Sequence, residues 1–326
     1  MNAPTLSVSH LKIACASCNM RELCLPFGLS SDDFERLEAL VSTRKKIRRG
    51  DSLFRAGDPF KSLYAVRVGF LKSTVVSPDG REQVTGFHMA GELVGLDGIS
   101  SEAHTCETVA LEDTDVCVIP YERLEEVASS VPTLRNHFHK VMSREIVREH
   151  GVMLLLGTMH AEERLSAFLL NLSQRFEARG YSRSDFVLRM TRAEIGSYLG
   201  LKLETVSRAL SRFAQDGLID VNQKRIQITD PDGLRAAAVS SGRYPEAREL
   251  AFEVFSLALD FGSQRLPKTG NVGVQLRHIH LGNGHTCFHL VLRSGRTAAA
   301  LLSCHRTLNA LTGRDLIRDV AQTAKV

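Results

Sequence analysis

Three cysteines lie close together near the start of the chain, in the stretch CASCNMRELC. Cys15, Cys18 and Cys24 have a C-x2-C-x5-C spacing, and clustered thiolates suit zinc or an iron–sulfur cluster. Zinc sites usually pair one C-x2-C with a second such pair or with a histidine pair, and this chain has no second C-x2-C. An iron–sulfur cluster is satisfied by three local thiolates and one from elsewhere. The spacing therefore favours a cluster that needs a fourth cysteine.

The fourth thiolate has four candidates among the seven cysteines of the chain: Cys106, Cys117, Cys287 and Cys304. Cys117 lies in TDVCVIP, at the end of a predicted strand, where Val116 and Val118 face one side and Cys117 faces the other. The alternative interpretation of Cys117 is a small buried apolar residue. The residues alone leave both interpretations open, although an odd number of cysteines argues against a disulfide framework.

The composition is that of an ordinary soluble globular protein, with 43% hydrophobic and 24% charged residues. No stretch approaches the roughly 18 uninterrupted apolar residues of a membrane span, and the N-terminus lacks the pattern of a secretory signal. We therefore expect no membrane partner and a cytoplasmic location, where clustered cysteines bind metal more often than they form disulfides. The net charge is only +4, so binding to nucleic acid would need a local basic surface.

A run of short strands, from about Lys45 to Pro120, is the first element that could position the thiols. Short apolar runs alternate there with turn signals such as Gly50-Asp51 and Asp79-Gly80. Turn signals about 8–12 residues apart are typical of a sandwich or barrel of antiparallel strands. We therefore predict a β domain, and an ordinary β domain without a ligand is the alternative.

A long amphipathic helix is predicted from Pro132 to about Leu156. Its apolar residues recur at spacings of three and four positions: Leu134, Phe138, Val141, Met142, Ile146, Met153 and Leu156. A helix that runs from one domain to the next needs something to cover its apolar face, and a second copy in a homodimer would do so. A helix buried within one domain is the alternative.

The stretch from Thr191 onwards carries the pattern of a winged helix-turn-helix. Thr191 and Glu194 form a capping box that begins one helix. Gly200 ends that helix, and a second helix begins near Leu203. The hairpin LIDVNQKRIQIT follows as the wing. Apolar residues of the two helices build the small core: Ile195, Leu199, Val206, Leu210 and Phe213.

These stretches together resemble the fumarate-and-nitrate-reductase regulator (FNR) family, within the cyclic-AMP receptor protein superfamily. The similarity is carried by CASCNMRELCLPF, LFRAGDPFKSLYAVRVG, EQVTGFHMAGELVGLDGI, VCVIPYERL, AEERLSAFLLNLSQRF and ETVSRALSRF. They occur in family order and with family spacing from about residue 12 to residue 235, nearly three-quarters of the chain. The combination is highly specific.

The resemblance implies an α+β fold with an N-terminal β jelly-roll sensor domain of the cyclic-nucleotide-binding type, a long dimerisation helix and a C-terminal winged helix-turn-helix domain. We assign a cysteine-bearing, cluster-binding arm to residues 1–28 and the β-roll to residues 29–130. The dimerisation helix is assigned to residues 131–158 and the DNA-binding domain to residues 159–239. Residues 240–326 lie outside the resemblance and form an unassigned extension.

The function that the resemblance implies is that of a cytoplasmic, oxygen-sensing transcription activator, not an enzyme, that acts with RNA polymerase on anaerobic gene expression. In the family, a [4Fe–4S] cluster promotes dimerisation and binding to double-stranded DNA. By position, Cys15, Cys18, Cys24 and Cys117 match the family's cluster ligands. Cys106 falls where the family has no ligand.

The expected dimer interface includes Ile146, Glu149 and Met153. Glu149 sits where the family carries an acid on the dimer helix. A carboxylate that faces its symmetry mate repels it, and this repulsion would keep the cluster-free protein monomeric. A plain solvated charge is the alternative interpretation of Glu149.

The residues expected to read DNA lie on the second helix, where Glu204, Ser207 and Arg208 match the family's E-x-x-S-R set. The family's target is a palindrome of TTGAT half-sites. Arginine fits O6 and N7 of guanine bidentately, glutamate accepts from a cytosine amino group, and serine can approach a thymine. Five further residues are predicted to contact phosphates: Thr205, Arg212, Lys202, Lys224 and Arg225.

Cyclic nucleotides are the rival ligand in this superfamily, and we expect none here. In nucleotide binders the segment after Gly-Glu carries an Arg-Ser pair that grips the cyclic phosphate. The corresponding segment, GELVGLDGISSEAHTCET, contains no arginine. A buried phosphate without a cation would be poorly stabilised.

The C-terminal extension carries a possible helix from Glu246 to Asp260 and a hairpin that turns at Asn283-Gly284. Five residues around this turn could bind a metal: His278, His280, His285, Cys287 and His289. A solvated basic hairpin is the favoured interpretation of that segment. A ligand module, a tail and translation in a shifted frame all stay open for the extension as a whole.

Two rival classes of function stay open beside the redox regulator. One is an iron–sulfur enzyme or electron carrier that includes a winged-helix module. The chain has no G-x-G-x-x-G, P-loop or H-E-x-x-H motif, which argues against an enzyme. The other is a zinc-stabilised regulator without a redox role.

Overall fold

The computed structural model describes residues 15, 18, 20, 23, 24, 31–41 and 43–239, together with the backbone of three strands between residues 272 and 304. The chain divides into two units, Met1–Gln264 and Arg265–Val326, and each is described by itself. Among the described residues, no helix has the length and apolar character needed to cross a membrane.

Eight short strands form two four-stranded antiparallel sheets, which confirms the predicted β domain. The strands are β1 (Thr43–Ile47), β2 (Ser52–Phe54), β3 (Ser62–Val68), β4 (Phe70–Val76), β5 (Glu82–Met89), β6 (Leu93–Val94), β7 (Glu107–Ala110) and β8 (Thr114–Pro120). One sheet has the order β1-β8-β3-β6 and the other the order β2-β7-β4-β5. Since neighbours in space are rarely neighbours in sequence, the sheets form a roll rather than a meander.

The apolar interior of the roll lies between the sheets and includes Phe54, Val66, Leu71 and Val116, all nearly inaccessible to solvent. Three helices pack on the outside: α1 (Ser31–Leu40), α2 (Tyr121–Ser130) and α3 (Pro132–Thr158). Their buried residues join those of β3 and β8 in a second core. The sequence analysis did not include α2, which lies within the segment assigned to the β-roll.

Helix α3 spans 27 residues, as the apolar spacing predicts, and only part of its apolar stripe is covered within the protomer. Leu134 and Phe138 are buried near its start and Leu155 near its end. In between, Ile146 is 52% exposed and Met153 is 60% exposed. A surface is therefore left for a second copy of the helix.

The segment after α3 folds as a winged helix-turn-helix, as predicted. Its elements are α4 (Ala161–Glu177), β9 (Asp185–Val187), α5 (Arg192–Leu199), α6 (Leu203–Gln215), β10 (Ile219–Asn222), β11 (Arg225–Ile228) and α7 (Pro231–Val239). Strands β10 and β11 form the predicted wing hairpin, and β9, which the sequence analysis missed, adds a third strand beside β11. Helices α4–α6 share one apolar core.

The second unit contains an antiparallel meander of β12 (Val272–Leu281), β13 (His285–Ser294) and β14 (Thr297–Cys304). The pairing of β12 with β13 agrees with the predicted hairpin, and β14 is an addition. The possible helix at residues 246–260 lies outside the described residues. The side chains of the possible metal ligands also lie outside them.

Candidate metal centre and nucleic-acid interface

The four cysteines that match the family's ligands line a single small cavity. Cys15, Cys18 and Cys24 approach it from the arm, and Cys117 approaches it from β8. Strand β8 lies between β1 and β3, so Cys117 is held by backbone pairing on both sides. The sheet therefore brings to the arm a thiol that is more than ninety residues away in sequence.

The walls of this cavity are almost wholly apolar, with Leu37 and Val41 from α1 and Ala65 and Ile119 from the sheet. Among the described residues, no three metal-binding side chains converge on one point closely enough to hold a single ion. An iron–sulfur cluster needs a wider arrangement, because each thiolate binds a separate iron. Four sulfur donors in an apolar site are the chemistry that such a cluster requires, so the residues fit it.

The surroundings of Cys117 favour its neutral thiol in the metal-free chain. Burial raises the pKa of its thiol, and the nearby Cys18 raises it further. Arg44 and Arg67 oppose this shift from the two neighbouring strands. Thiols must be deprotonated to bind metal, and a bound metal supplies the positive charge that holds them so.

Cys106 lies elsewhere, in the interior of the roll. Its Sγ is 3.5 Å from Oδ2 of Asp97, and burial together with that carboxylate raises the pKa of the thiol to about 12. Cys106 lines a different cavity from the other four described cysteines. It therefore cannot complete the thiol set without a rearrangement of the roll.

The arm also contacts α3. The His137 ring of α3 hydrogen-bonds to the backbone of Cys24, and burial lowers the pKa of His137 to about 4. Leu23 covers the turn at Gly91, where a Cβ would lie 2.7 Å from the Cβ of Leu23 and where φ is +89°. Only glycine fits that turn under the arm. One ligand segment thus contacts the β-roll and the long helix together.

Ile146, Glu149 and Met153 lie three and four positions apart, so they share one face of α3, which we call the α3 face. All three side chains are exposed in the protomer. An acidic residue between two exposed apolar residues fits the predicted dimer interface.

The predicted DNA-reading surface is built by α5 and α6. Thr191 Oγ1 accepts from the backbone N–H of Glu194, and Oε2 of Glu194 accepts from the N–H of Thr191 at 2.7 Å, which is the predicted capping box. Gly200 ends α5 with a φ of +63°, in the left-handed region. The capping box and the glycine fix the start of α5 and the turn into α6.

Helix α6 buries one face and exposes the other. Val206, Ala209, Leu210 and Phe213 are buried against α4 and α5. On the opposite side, some of the side chains predicted to contact DNA are exposed and others are half-buried. Glu204, Arg208, Arg212 and Lys202 are exposed, whereas Thr205 and Ser207 are half-buried.

Several predicted phosphate contacts already have partners inside the protomer. Arg212 Nη1 donates to Glu162 at 2.9 Å, and Arg225 Nε donates to Asp185 at 2.8 Å. Lys224 Nζ donates to the carbonyl of Arg189 at 3.2 Å. The sequence analysis missed these partners, because the acids lie on other elements. Binding of phosphate by Arg212 and Arg225 would exchange one anion for another.

Ion pairs connect the β-roll to the DNA-binding domain, and none of them was predicted. Lys72 Nζ of β4 donates to Oε1 of Glu194 at 2.7 Å. Glu92, which follows β5, accepts from Arg175 at 2.8 Å and from Arg179 at 2.5 Å, both near the end of α4. We call Glu92, Arg175 and Arg179 the interdomain clasp.

A second cavity, of about 440 Å3, lies between β4, β5, the segment after Glu92 and α3. Arg148 of α3 lines it, which the sequence analysis did not anticipate because Arg148 lies outside the segment that carries the phosphate-binding arginine in nucleotide binders. Its guanidinium is paired with Glu145, one turn earlier in α3.

A sensor roll joined by a long helix to a winged helix-turn-helix defines a transcription regulator that binds DNA, and comparison with known proteins agrees. Residues 44–130 match the cyclic nucleotide-binding domain family, and residues 163–237 match the Crp-like helix-turn-helix domain family. The chain belongs to the FNR family of transcription regulators, within the Crp/Fnr group.

Relatives from several organisms support this assignment. The transcriptional activator protein Anr of Pseudomonas protegens is 47% identical over 241 residues, which cover 74% of this chain and 99% of Anr. The fumarate and nitrate reduction regulatory protein of Salmonella typhimurium is 46% identical, over 69% of this chain and 90% of that protein. The solved structure of FixK2 from Bradyrhizobium japonicum is 30% identical, has a TM-score of 0.58, and aligns with 62% of this chain and all of FixK2.

Proposed function

We propose that this regulator responds to oxygen through a [4Fe–4S] cluster held by Cys15, Cys18, Cys24 and Cys117. The observation that carries the proposal is that these four thiols, and not Cys106, line one apolar cavity. The names of the relatives, which include a transcriptional activator and a fumarate and nitrate reduction regulatory protein, support a role as a transcription activator. The proposal places this activator in the cytoplasm and its targets among anaerobic genes.

The residues around the cavity provide a route from the thiols to the oligomeric state. When bound, an iron–sulfur cluster supplies irons that oxygen oxidises. The four cysteines tie the arm to β8, and His137 ties the same arm to α3 through the backbone of Cys24. Release of the arm would therefore remove a contact that orients α3.

The α3 face is the second part of the proposed switch. Ile146 and Met153 would pack against a second copy in a homodimer, as apolar residues do along paired helices. Glu149 lies between them, and two copies of its carboxylate would repel each other across the axis. The dimer would then form only when the arm sets the pairing of the helices.

The proposed DNA target is a palindrome of TTGAT half-sites, one for each α6 in the dimer. Arg208 would contact guanine bidentately, and Glu204 and Ser207 would contact neighbouring bases. Lys202, Thr205 and Arg212, with Lys224 and Arg225 of the wing, would contact phosphates. Bound in this way, the dimer would act on transcription together with RNA polymerase.

The test uses the full chain purified without oxygen. Iron and acid-labile sulfide should each approach about four per chain, and sedimentation should show a dimer that binds the TTGAT palindrome. Exposure to air should remove the iron absorption and give mostly monomer with weak DNA binding. A dimer that persists in air would refute the switch but not the DNA-binding role.

The same measurements separate the rival proposals. One zinc per chain without sulfide would identify a zinc-stabilised regulator. Calorimetric titration with cyclic AMP should give no binding, because the segment after Glu92 has no arginine and Arg148 is paired with Glu145. Saturable binding of cyclic AMP would instead assign the 440 Å3 cavity to a nucleotide.

A further inference from the structure

One of the residues predicted to read bases is held by another side chain of the same protomer. Nη1 of Arg192, the first residue of α5, donates a hydrogen bond to Oγ of Ser207 in α6 at 3.3 Å. Within the part of the protomer that the structure describes, the side chains of Glu204 and Arg208 have no such partner. Ser207 therefore differs from the other two base-reading residues in being oriented before DNA binds.

Both ends of this contact are held in place by the fold. Arg192 directly follows Thr191, whose capping box with Glu194 fixes the start of α5. Ser207 directly follows Val206, which is fully buried in the core that α6 shares with α5. The side chains of Arg192 and Ser207 are themselves half-buried. The contact therefore joins two fixed positions of the helix-turn-helix rather than two freely moving surface groups.

The chemistry of the two groups fixes the direction of the hydrogen bond. A guanidinium has only donors, whereas a serine hydroxyl has one O–H and two acceptor lone pairs. Oγ of Ser207 is therefore the acceptor, and the described contacts of Ser207 give its own O–H no acceptor. A hydrogen bond from a cation also polarises the hydroxyl, which makes this O–H a stronger donor. We therefore expect Ser207 to donate a hydrogen bond to DNA rather than accept one.

A hydroxyl that donates distinguishes between base edges. In the major groove, thymine presents O4 and purines present N7 as acceptors, and guanine adds O6, whereas adenine and cytosine present amino donors. We propose that Arg192 is a positioning residue for DNA reading, which holds Oγ of Ser207 as an acceptor so that the hydroxyl donates to O4, N7 or O6 of one base in each half-site. This inference rests on the proposed function, in which Ser207 contacts a base.

The rival role for Arg192 is a direct contact with a DNA phosphate. The charge of Arg192 would then contribute to the binding of every sequence, because phosphate contacts carry no sequence information. A residue that acts through Ser207 instead has no effect on binding once the Ser207 hydroxyl is removed. The two roles therefore predict different results in a double-mutant cycle, which measures whether two residues act together.

The test is this cycle in the full chain purified without oxygen, with binding to the TTGAT palindrome measured by fluorescence anisotropy. Arg192→Ala should weaken binding at least about fivefold, through loss of a charge-assisted hydrogen bond at each half-site. In the Ser207→Ala background, Arg192→Ala should cause no further loss. Arg235→Ala is the matched control, because Arg235 is an exposed arginine of α7 in the same domain, and it should bind like the wild type.

Two outcomes of the cycle would contradict the proposal, and they are distinguishable. An equal loss from Arg192→Ala in both backgrounds, with tight binding by the wild type, would make Arg192 a phosphate contact and overturn this inference alone. Failure of the wild type to bind the palindrome would refute the proposed target, and the inference with it.

A second measurement needs no Arg192 variant, so it decides the matter if Arg192→Ala does not fold. Palindromes that lack one acceptor per half-site, through 7-deazapurines or a thymine analogue without O4, are compared with palindromes that lack one amino group. At one position, removal of an acceptor should weaken binding to the wild type but not to Ser207→Ala. If removal of an amino group gives this pattern instead, Ser207 accepts from DNA and the proposal is overturned. The absence of any such position would overturn it as well, since Ser207 would then contact no base.

Discussion

The helix-turn-helix and the thiol site are assembled in opposite ways. Residues 191–228 form most of the DNA-reading surface by themselves, because a capping box, a turn glycine and a wing hairpin follow one another along the chain. The thiol site joins an arm at Cys15 to a strand at Cys117. A local unit can be altered one residue at a time, whereas the thiol site also needs a ligand from a distant strand and is lost without it.

The largest predicted effect therefore concerns the thiol site. Cys117→Ser should abolish assembly of iron and sulfide in protein prepared without oxygen, because three thiolates from the arm cannot complete the set. Cys106→Ser is the control, and it should keep the full iron content, since Cys106 lies in the roll beside Asp97. If Cys106→Ser alone loses the iron, the ligand assignment is wrong.

The next largest effect is predicted at the interdomain clasp. Like the thiol site, the clasp joins residues that are far apart in the sequence, but it involves no metal. Glu92→Gln leaves Arg175 and Arg179 without their shared carboxylate. We expect a loss of about 3 kcal/mol in the free energy of unfolding, near the lower end for broken buried pairs because Glu92 is still 24% exposed. Glu126→Gln, on the exposed side of α2, is the control and should change little in urea unfolding.

The pH dependence of that loss tests its cause. Burial alone would raise the pKa of Glu92, but Arg175 and Arg179 lower it to about 2, against about 4.3 in an unfolded chain. A lowered pKa stabilises the fold above about pH 4.3, and this stabilisation disappears as pH falls towards about 2. The difference between wild type and Glu92→Gln should shrink across that window. A difference independent of pH would assign the loss to packing instead.

Substitutions at the DNA-reading surface should weaken DNA binding in different ways, according to whether the residue contacts a base or a phosphate. Arg208→Ala should cost about 1–3 kcal/mol per half-site and relax preference at the guanine of TTGAT. Lys224→Ala, in the wing, should weaken binding to all sequences alike and reduce the salt slope by about one. Binding to the palindrome and to variants changed only at the guanine separates the two. Equal losses for every variant would make Arg208 a phosphate contact.

The smallest effect is predicted at the α3 face. Glu149→Ala removes one exposed carboxylate from each protomer, so dimers in air should be favoured by up to about 1 kcal/mol, or about fivefold in the dissociation constant. Sedimentation equilibrium over a concentration series measures this change. His150→Ala is the control, because His150 is an exposed neighbour on α3. An equal shift in both variants would remove the special role of Glu149.

The sequence predicts well those elements that are formed by residues close together in the chain. The turn spacing predicts a domain of short antiparallel strands, and the apolar repeat predicts α3. The pattern from Thr191 predicts the helix-turn-helix, whose second helix begins at Leu203. Helix α2 and strand β9 were missed, because a helix of 10 residues and a strand of 3 carry little periodic signal. The pairing order of the eight strands was not predicted either.

Contacts between different helices and strands could not be predicted from the spacing of residues in the sequence. Nothing in the sequence near Glu92 indicates that Arg175 of α4 and Arg179, just after α4, will pair with it. Nor does the sequence indicate that Glu162 and Asp185 will pair with predicted phosphate contacts. These pairs depend on how the roll and the DNA-binding domain pack, which propensity does not determine. The choice of Cys117 over Cys106 came from family resemblance, and the structure adds a geometric reason.

Glu194 performs two tasks with its two carboxylate oxygens: one accepts from the N–H of Thr191, and the other accepts from Lys72 of the β-roll. If the domains separate, the carboxylate loses Lys72 and gains freedom to leave its position at the start of α5. The amide proton of Thr191 should then exchange with solvent deuterium faster, without any unfolding of α6. Deuterium exchange at the Thr191 amide therefore reports whether the β-roll is in contact with the DNA-binding domain.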